Sequence, residues 1–319
     1  MKIRIALVSA REALALDEDM APLVAALRTV GAEVDTPLWD DPAVAWDSYS
    51  VAVLRSTWDY VDRIDEFLSW ADRCSRATRL MNPPDVIRWN TDKHYLVDLA
   101  RSGVPVVPTT FVEPQGDAHE ALDRFLAGGE EAWSVTVGGR QGFDEFVVKP
   151  AIGAGSRDAA RFGRAEAARA VAHLRALLDA GRSAMLQPYL SRVDEQGETA
   201  VIYLDGAFSH AARKGPLLRA GDALVEGLFA PEEISAREAD RSELEVADAA
   251  YRAIGSARPV YARIDLIRDA DNRPVVLELE LTEPSLFLLH APGAALRYAR
   301  ILAARAADSL SGGAAGSPV

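Results

Sequence analysis

The sequence predicts an α/β (α+β) protein, and three observations carry that reading. Apolar strand runs alternate with a helical pattern near the N-terminus, two hairpin patterns lie in the second half, and a small-residue loop directly follows a strand mid-chain. Strand, helix and strand joined by short connections indicate an α/β layer. The later hairpins add antiparallel strands.

Ile3 to Ser9 is a continuous apolar run, the kind buried on both faces of a parallel sheet. Asp19 to Val30 places Leu23, Ala26 and Leu27 at helical spacing, and Gly31 stops it. Ala32–Leu38 and Val51–Leu54 read as further strands. The second of these ends in Arg55-Ser56-Thr57-Trp58-Asp59-Tyr60, where ligands sit in open α/β sheets, beyond the strands' carboxyl ends. Two readings stand side by side: Arg55, Trp58 and Tyr60 bind substrate, with Arg55 gripping a carboxylate; or the aromatics are core and Arg55 pairs with Asp59.

Asp62 to Ala77 is an amphipathic helix, and Met81-Asn82-Pro83-Pro84 is a hinge-like break marking a domain boundary. Thr91 or Asp92 caps a helix through Lys93 to Ser102. A lysine in that first turn opposes the helix dipole, so it has either no role or an anion to meet. The strand VPVVPTTFVEP and the short helix Asp117–Leu126 follow, then a polar connection over 128–142. Phe146–Val148 is a strand ending in Lys149, followed by Pro150 and a loop with Gly153, Gly155 and Ser156. Glycines let a backbone approach a ligand closely, with amide hydrogens turned to anionic oxygens; the alternative is an exposed turn with Lys149 in solvent. The loop lacks the Gly-Lys-Ser/Thr of a Walker loop and the third glycine of a dinucleotide fingerprint.

Arg164 to Asp179 is helical and Ala184 to Leu190 is a strand running into a hinge. Residues 199–214 form a hairpin turned at Asp205-Gly206, Pro231 to Ile254 a long helical region, and Pro259–Arg268 with Arg273–Leu281 a second hairpin. Alternation puts Glu278 and Glu280 on one strand face, with Asp265 on the partner strand. Three convergent carboxylates suit Mg²⁺ or Mn²⁺; the alternative is an acidic, solvent-facing sheet surface. Ala294 to Leu310 is a final helix, and residues 311–319 are expected to be a disordered tail.

Composition narrows the function. With 319 residues, 49% of them hydrophobic, the chain can bury two or three subdomain cores. A net charge of −13 argues against a nucleic-acid surface or an anionic-membrane patch. A polyphosphate would need local lysines and arginines, and divalent metal. The one cysteine, Cys74, excludes an internal disulfide. Arg4 and Arg11-Glu12 interrupt the first apolar run too early for a signal-peptide core, and no run approaches transmembrane length. A cytoplasmic location is the expectation.

The order of Lys93 before VPVVPT, VVKP with its small-residue loop, LQPYL, the GET turn, AARKGP, and RIDLI with LELEL resembles the ATP-grasp superfamily from Asn82 to Ala307. The resemblance implies an ATP-grasp fold behind an N-terminal α/β domain. The expected units are 1–84 on the substrate side, 85–186 with the phosphate loop, and 187–310 with the metal site. It implies ATP, with Lys93 and Lys149 on its α- and β-phosphates and Gly153, Gly155 and Ser156 closing over them. Gln187, Pro188, Tyr189 and Leu190 would form the adenine hinge, and Glu198 would hold the ribose, with Asp194 the lesser candidate. Arg213 would stabilise the transferring phosphoryl group beside Lys149, and Asp265 and Glu278 would hold one or two Mg²⁺. Glu280 stands where the superfamily usually has Asn.

LELELTEPSLFL, RSTWDY and RWNTDKHYL further resemble the O-ureido-serine cyclo-ligase subgroup of cycloserine formation. The implied reaction activates a small amino-acid-like carboxylate as an acyl phosphate, which an amine nitrogen then attacks. Arg55, Trp58, Tyr60, Lys214 and Ser285 would contact substrate. A two-substrate amino-acid ligase and a non-catalytic ATP-binding module are the competing readings, and a homo-oligomer stays open.

Overall fold

The computed structural model describes residues 2–128, 133–135, 143–218 and 233–312. Strands β1 (Arg4–Ser9), β2 (Glu33–Asp35), β3 (Val51–Ser56) and β4 (Arg79–Met81) form a parallel sheet in the order β2-β1-β3-β4. Every residue of β3 is buried, because both faces are covered. On one face lie α1 (Met20–Thr29), through Met20, Leu23 and Leu27, and the C-terminal helix α9 (Ala294–Gly312), through Tyr298, Ala299 and Leu302. On the other lies α2 (Ile64–Ala77), whose Phe67, Trp70 and Cys74 pack with Trp39 and Leu54. Each fully buried large apolar side chain there contributes roughly 1.5–3 kcal/mol. Burial pushes the Cys74 thiol up to about 12, so it is an inert packing residue.

Helices α3 (Pro84–Asn90) and α4 (Tyr95–Arg101) lead to a four-stranded antiparallel sheet. Its strands are β5 (Thr110–Val112), β6 (Glu145–Pro150), β7 (Ala160–Gly163) and β8 (Ala184–Pro188), in the order β5-β8-β6-β7. Helices α5 (Ala118–Ala127) and α6 (Ala167–Asp179) cover one face through Leu122, Phe125, Leu174 and Leu178. Asp117 caps α5 by accepting from the N–H groups of His119 and Glu120, and Gly128 closes it in the left-handed conformation.

A short α7 (Val193–Gln196) precedes the five-stranded sheet of β9 (Glu198–Leu204), β10 (Ala207–Lys214), β11 (Ile234–Arg237), β12 (Tyr261–Arg268) and β13 (Pro274–Glu280). Its order is β11-β10-β9-β12-β13, antiparallel throughout. Helix α8 (Arg241–Ala253) lies against it, started by a reciprocal Asp240–Glu243 capping box.

Several expectations need correction. The long helix expected from Pro231 is β11 followed by α8; residues 231 and 232 lie outside the described residues. Lys93 precedes α4 rather than opening it, and its N–H donates to the Ala151 carbonyl. The VPVVPTTFVEP run pairs mainly at Thr110–Val112, with Val106 bridged to Val276 of β13. The expected 85–186 unit is divided accordingly, since the segment up to Val107 packs on the five-stranded sheet. The Asn82 break is firmly anchored: its side chain donates to the Tyr261 and Leu281 carbonyls and accepts from the Val260 N–H. Helix α9 runs two residues into the expected tail, and residues 313–319 lie outside the described residues. The 128–142 connection is described only at Gly128 and 133–135.

Candidate active site

A cleft of about 1470 Å³, counting its open mouth, lies between the two antiparallel sheets and reaches the ends of the parallel one. Beta alternation decides what enters it. On β12, Arg263 and Asp265 share a face; Glu278 and Glu280 on β13 pair opposite Asp265 and Arg263. On β10, Lys214 shares that face by pairing with Glu198 on β9.

The result is a continuous chain of charge. Lys214 Nζ lies 3.0 Å from Glu198 and 2.9 Å from Asp265. Arg263 donates two hydrogen bonds of 2.9 Å to the Asp265 carboxylate and pairs with Glu280 as well. Burial opposes the Asp265 charge, but Arg263 and Lys214 outweigh it and hold the carboxyl below its usual range. Lys93 Nζ pairs with Glu278 at 3.0 Å and donates to the Gly153 carbonyl at 2.8 Å, tying β13 to the glycine loop.

Lys149 differs from these. Among the described residues it makes no ion pair, and burial lowers it to about 8; Lys93 and Lys214 add to the fall while Glu278 and Glu198 oppose it. Beside it Gly155, Ser156 and Asp158 all have positive φ, near 60°. Successive left-handed residues turn backbone N–H groups towards a concavity that suits an anion. Arg157 in the same loop donates two hydrogen bonds to Asp62, below the parallel sheet's end.

Apolar side chains line another part of the cleft: Val107, Val147, Leu190, Val193, Ile267 and Leu277. They flank the hinge of Gln187 to Leu190. Gln187 Nε2 donates to Thr109 at 2.9 Å, and Tyr189 donates to Asp194 at 2.5 Å under the Arg161 guanidinium. Asp194 is therefore committed to Tyr189 and Arg161, while Glu198 lines the cleft.

Trp58 and Tyr60 are nearly buried in the N-terminal core yet their edges line the cleft, where Trp58 Nε1 donates to the Glu283 carbonyl at 3.1 Å. Ser285 lines it too. The cleft thus gathers Lys93, Lys149, Gly153, Gly155, Ser156, Gln187, Pro188, Tyr189, Leu190, Glu198, Lys214, Glu278, Glu280, Trp58, Tyr60 and Ser285.

Three expected residues do not reach it. Arg55 is fully buried and pairs with Asp17 and Asp19 instead of Asp59, so neither reading of it holds. Arg213 has the opposite strand parity to Lys214; its side chain donates to the Gln196 and Glu195 carbonyls. Asp265 lies beneath the wall under two cations, and no group of three His, Cys, Asp or Glu side chains surrounds one point among the described residues. Sequence reasoning missed Arg263, although its position two residues before Asp265 puts it on the same face, and Glu283 and Asn90, which no periodicity marks.

A divalent cation nevertheless fits the donor set. Burial raises Glu280 to about 8, with Arg263 opposing and Glu278 and Asp265 adding, so a cation beside it would favour its charged form. Glu278 and Glu280 offer hard oxygen donors facing the cleft.

A family model described as "D-cycloserine synthetase DcsG, N-terminal domain" matches residues 5–82. The "Cycloserine biosynthesis protein DcsG" of Streptomyces lavendulae is 43% identical over 307 residues, covering 94% of this chain and 98% of that protein. The crystal structure of D-cycloserine synthetase DcsG superposes with a TM-score of 0.86 at 42% identity, covering 95% of this chain and 99% of that one. D-alanine--D-alanine ligase from Bacillus anthracis shares the fold, with a TM-score of 0.65 at 16% identity and 98% coverage of both chains. No described helix is long and apolar enough to cross a membrane.

Proposed function

This chain belongs to the DcsG family of ATP-grasp ligases, and from that premise we propose that it closes a small ring, joining an activated carboxylate to a nitrogen of the same amino-acid-like molecule. The observation carrying this reading is the joining of two chemistries in one cleft. A cationic set of Lys93, Lys149, Lys214 and Arg263 adjoins a small polar compartment of Trp58, Tyr60, Glu283 and Ser285.

The hinge and its apolar slot take the adenine, and Glu198 faces the ribose. Lys93 and Lys149, with the amides of Gly153 to Ser156, hold the phosphates. Lys214 and Arg263 face the transferring phosphoryl group and the acyl phosphate it makes. Such chemistry asks for positioning and charge neutralisation rather than a protein nucleophile. Glu278 and Glu280 would hold Mg²⁺, which supplies charge neutralisation to the phosphate oxygens when bound. The reaction is placed in the cytoplasm, where ATP is available.

The test is ADP release with Mg²⁺ and ATP against amino-acid analogues, including both O-ureido-serine enantiomers, each alone and then in pairs. Turnover with one compound alone is expected. Turnover only with pairs would replace ring closure by linear ligation.

A further inference from the structure

We propose that the Glu283 carboxylate is the proton acceptor for the attacking nitrogen, held in place by a loop whose peptide groups are fixed by side chains from the rest of the molecule. The proposal rests on the ligase reading above and adds the residue that makes the second half-reaction possible. An amine or amide nitrogen that attacks an acyl phosphate must shed a proton as the new bond forms. The lone pair makes the C–N bond, the acyl C–O bond breaks with its electrons leaving on phosphate, and the N–H proton passes to the Glu283 carboxylate. From there it returns to solvent.

Elimination among the cleft's acids and bases leads to Glu283. No histidine is among the described residues that line the cleft. Glu198 is paired with Lys214, Glu278 with Lys93 and Glu280 with Arg263, and Asp265 lies below the surface under two cations. In each of these the carboxylate oxygens already face a lysine or arginine, and Glu278 and Glu280 are the pair that would hold Mg²⁺. Glu283 is the carboxyl of this cleft that has no lysine or arginine in ion-pair contact among the described residues. The neutral Tyr60 phenol lies near it and favours its ionised form.

The placement of Glu283 is over-determined. The Thr282 carbonyl accepts from Tyr261, that of Glu283 from Trp58, that of Pro284 from Arg55, and that of Ser285 from Arg263. The N–H groups of Leu286, Phe287 and Leu288 all donate to the buried Asp19 carboxylate, at 2.5, 3.1 and 2.7 Å. The Leu286 carbonyl meets His210 Nε2 at 2.8 Å. This gives the buried Arg55 and Asp19 a purpose: they fix the backbone that presents Glu283 and Ser285. A loop pinned at successive residues holds a catalytic group at low reorganisation cost.

Charge around the group supports the role. Burial raises Glu283 to about 7; Tyr60, Lys93 and Arg263 pull it down and Glu278 pushes it further up. A base poised near the working pH serves best.

The experiment compares wild type, Glu283→Gln and Glu283→Asp, measuring cyclic product and, with hydroxylamine added, trapped hydroxamate. Hydroxylamine is already an uncharged nucleophile at neutral pH and needs no base. Glu283→Gln is expected to lower product formation by about 100-fold or more while still giving hydroxamate and a substrate KM close to wild type. The acid limb of wild-type kcat/KM, rising through about pH 7 as the carboxyl ionises, should vanish in this variant. Glu283→Asp should restore part of the rate. Product formation by Glu283→Gln near the wild-type rate, or equal loss of hydroxamate and product, overturns the assignment of Glu283 alone. Wild type that forms neither ADP nor hydroxamate overturns the ligase reading, and the assignment with it.

Discussion

The two walls of the cleft are built in opposite ways. The wall of β9, β10, β12 and β13 is a chain of partnered charge running from Glu198 through Lys214, Asp265 and Arg263 to Glu280. The wall after β6 carries one buried lysine without an ion pair among the described residues, beside a loop with three left-handed residues in its last four. On the first wall each charge is fixed by its neighbours before any ligand arrives. On the second, charge is left for the ligand to neutralise. The difference separates a scaffold that orients reacting groups from a surface that closes on phosphate.

The largest effect should come from breaking the partnered wall at its centre. Asp265→Ala leaves Lys214 and Arg263 without their shared buried partner. Stranding buried charge costs about 3–5 kcal/mol. Denaturant unfolding should show that loss; an unchanged midpoint would mean the wall is not held by this network.

The unpartnered wall should respond in activity instead. Lys149→Ala should lower turnover about 100- to 1,000-fold, the cost of removing one preorganised donor to developing charge. It should leave thermal stability unchanged or slightly raised, because the ammonium removed is buried and without an ion pair among the described residues. Near-normal ADP formation would take Lys149 out of the phosphate site.

The same lysine makes a pH prediction. Its pKa is lowered to about 8 from an ordinary 10.5, so the folded protein favours the neutral amine, and the cost of charging it is relieved as pH rises through that interval. Phosphate beside it reverses the shift. ATP binding should therefore take up close to one proton near pH 9 and almost none near pH 7, by about the difference in charge between the two states. Calorimetry in two buffers of different ionisation enthalpy measures this directly. No uptake at the higher pH would mean that phosphate does not approach the ammonium.

How much of this the sequence disclosed follows from period and parity. Glu278, Glu280 and Asp265 were legible because alternation holds through these positions of β12 and β13, and Asp205-Gly206 marked the turn of the hairpin before them, whose register shifts between Phe208 and His210. The same rule, applied to β10, separates Arg213 from Lys214, which the motif resemblance did not. Applied to β12 it brings Arg263 up beside Asp265. Glu283 was not legible in this way, since it sits in a loop shaped by contacts from Asp19 and Arg55, more than 200 residues earlier in the chain. Arg55 misled for the related reason that a cation at a strand end looks the same whether it meets a ligand or a buried aspartate. Of the parallel sheet, β1 and β3 were readable; β2 is shorter than the expected Ala32–Leu38 run, and the three-residue β4 is too short to show a pattern.

The smallest predicted effect tests where the closing wall is attached. Arg157 reaches out of the glycine loop to Asp62, a charged tether from the loop to the N-terminal region. The pair is exposed on both sides, at 28% and 55%, and such surface pairs contribute under about 1 kcal/mol. Arg157→Ala should therefore shift the unfolding midpoint very little. If the tether holds the loop near the phosphate position before ATP binds, the KM for ATP should rise a few-fold with kcat nearly unchanged, since the lost contact acts equally in ground and transition states. Raising the salt concentration should raise the wild-type KM more than that of the variant, because only the wild type has the exposed pair to screen. An unchanged KM in Arg157→Ala would show that the loop closes by its backbone conformation alone.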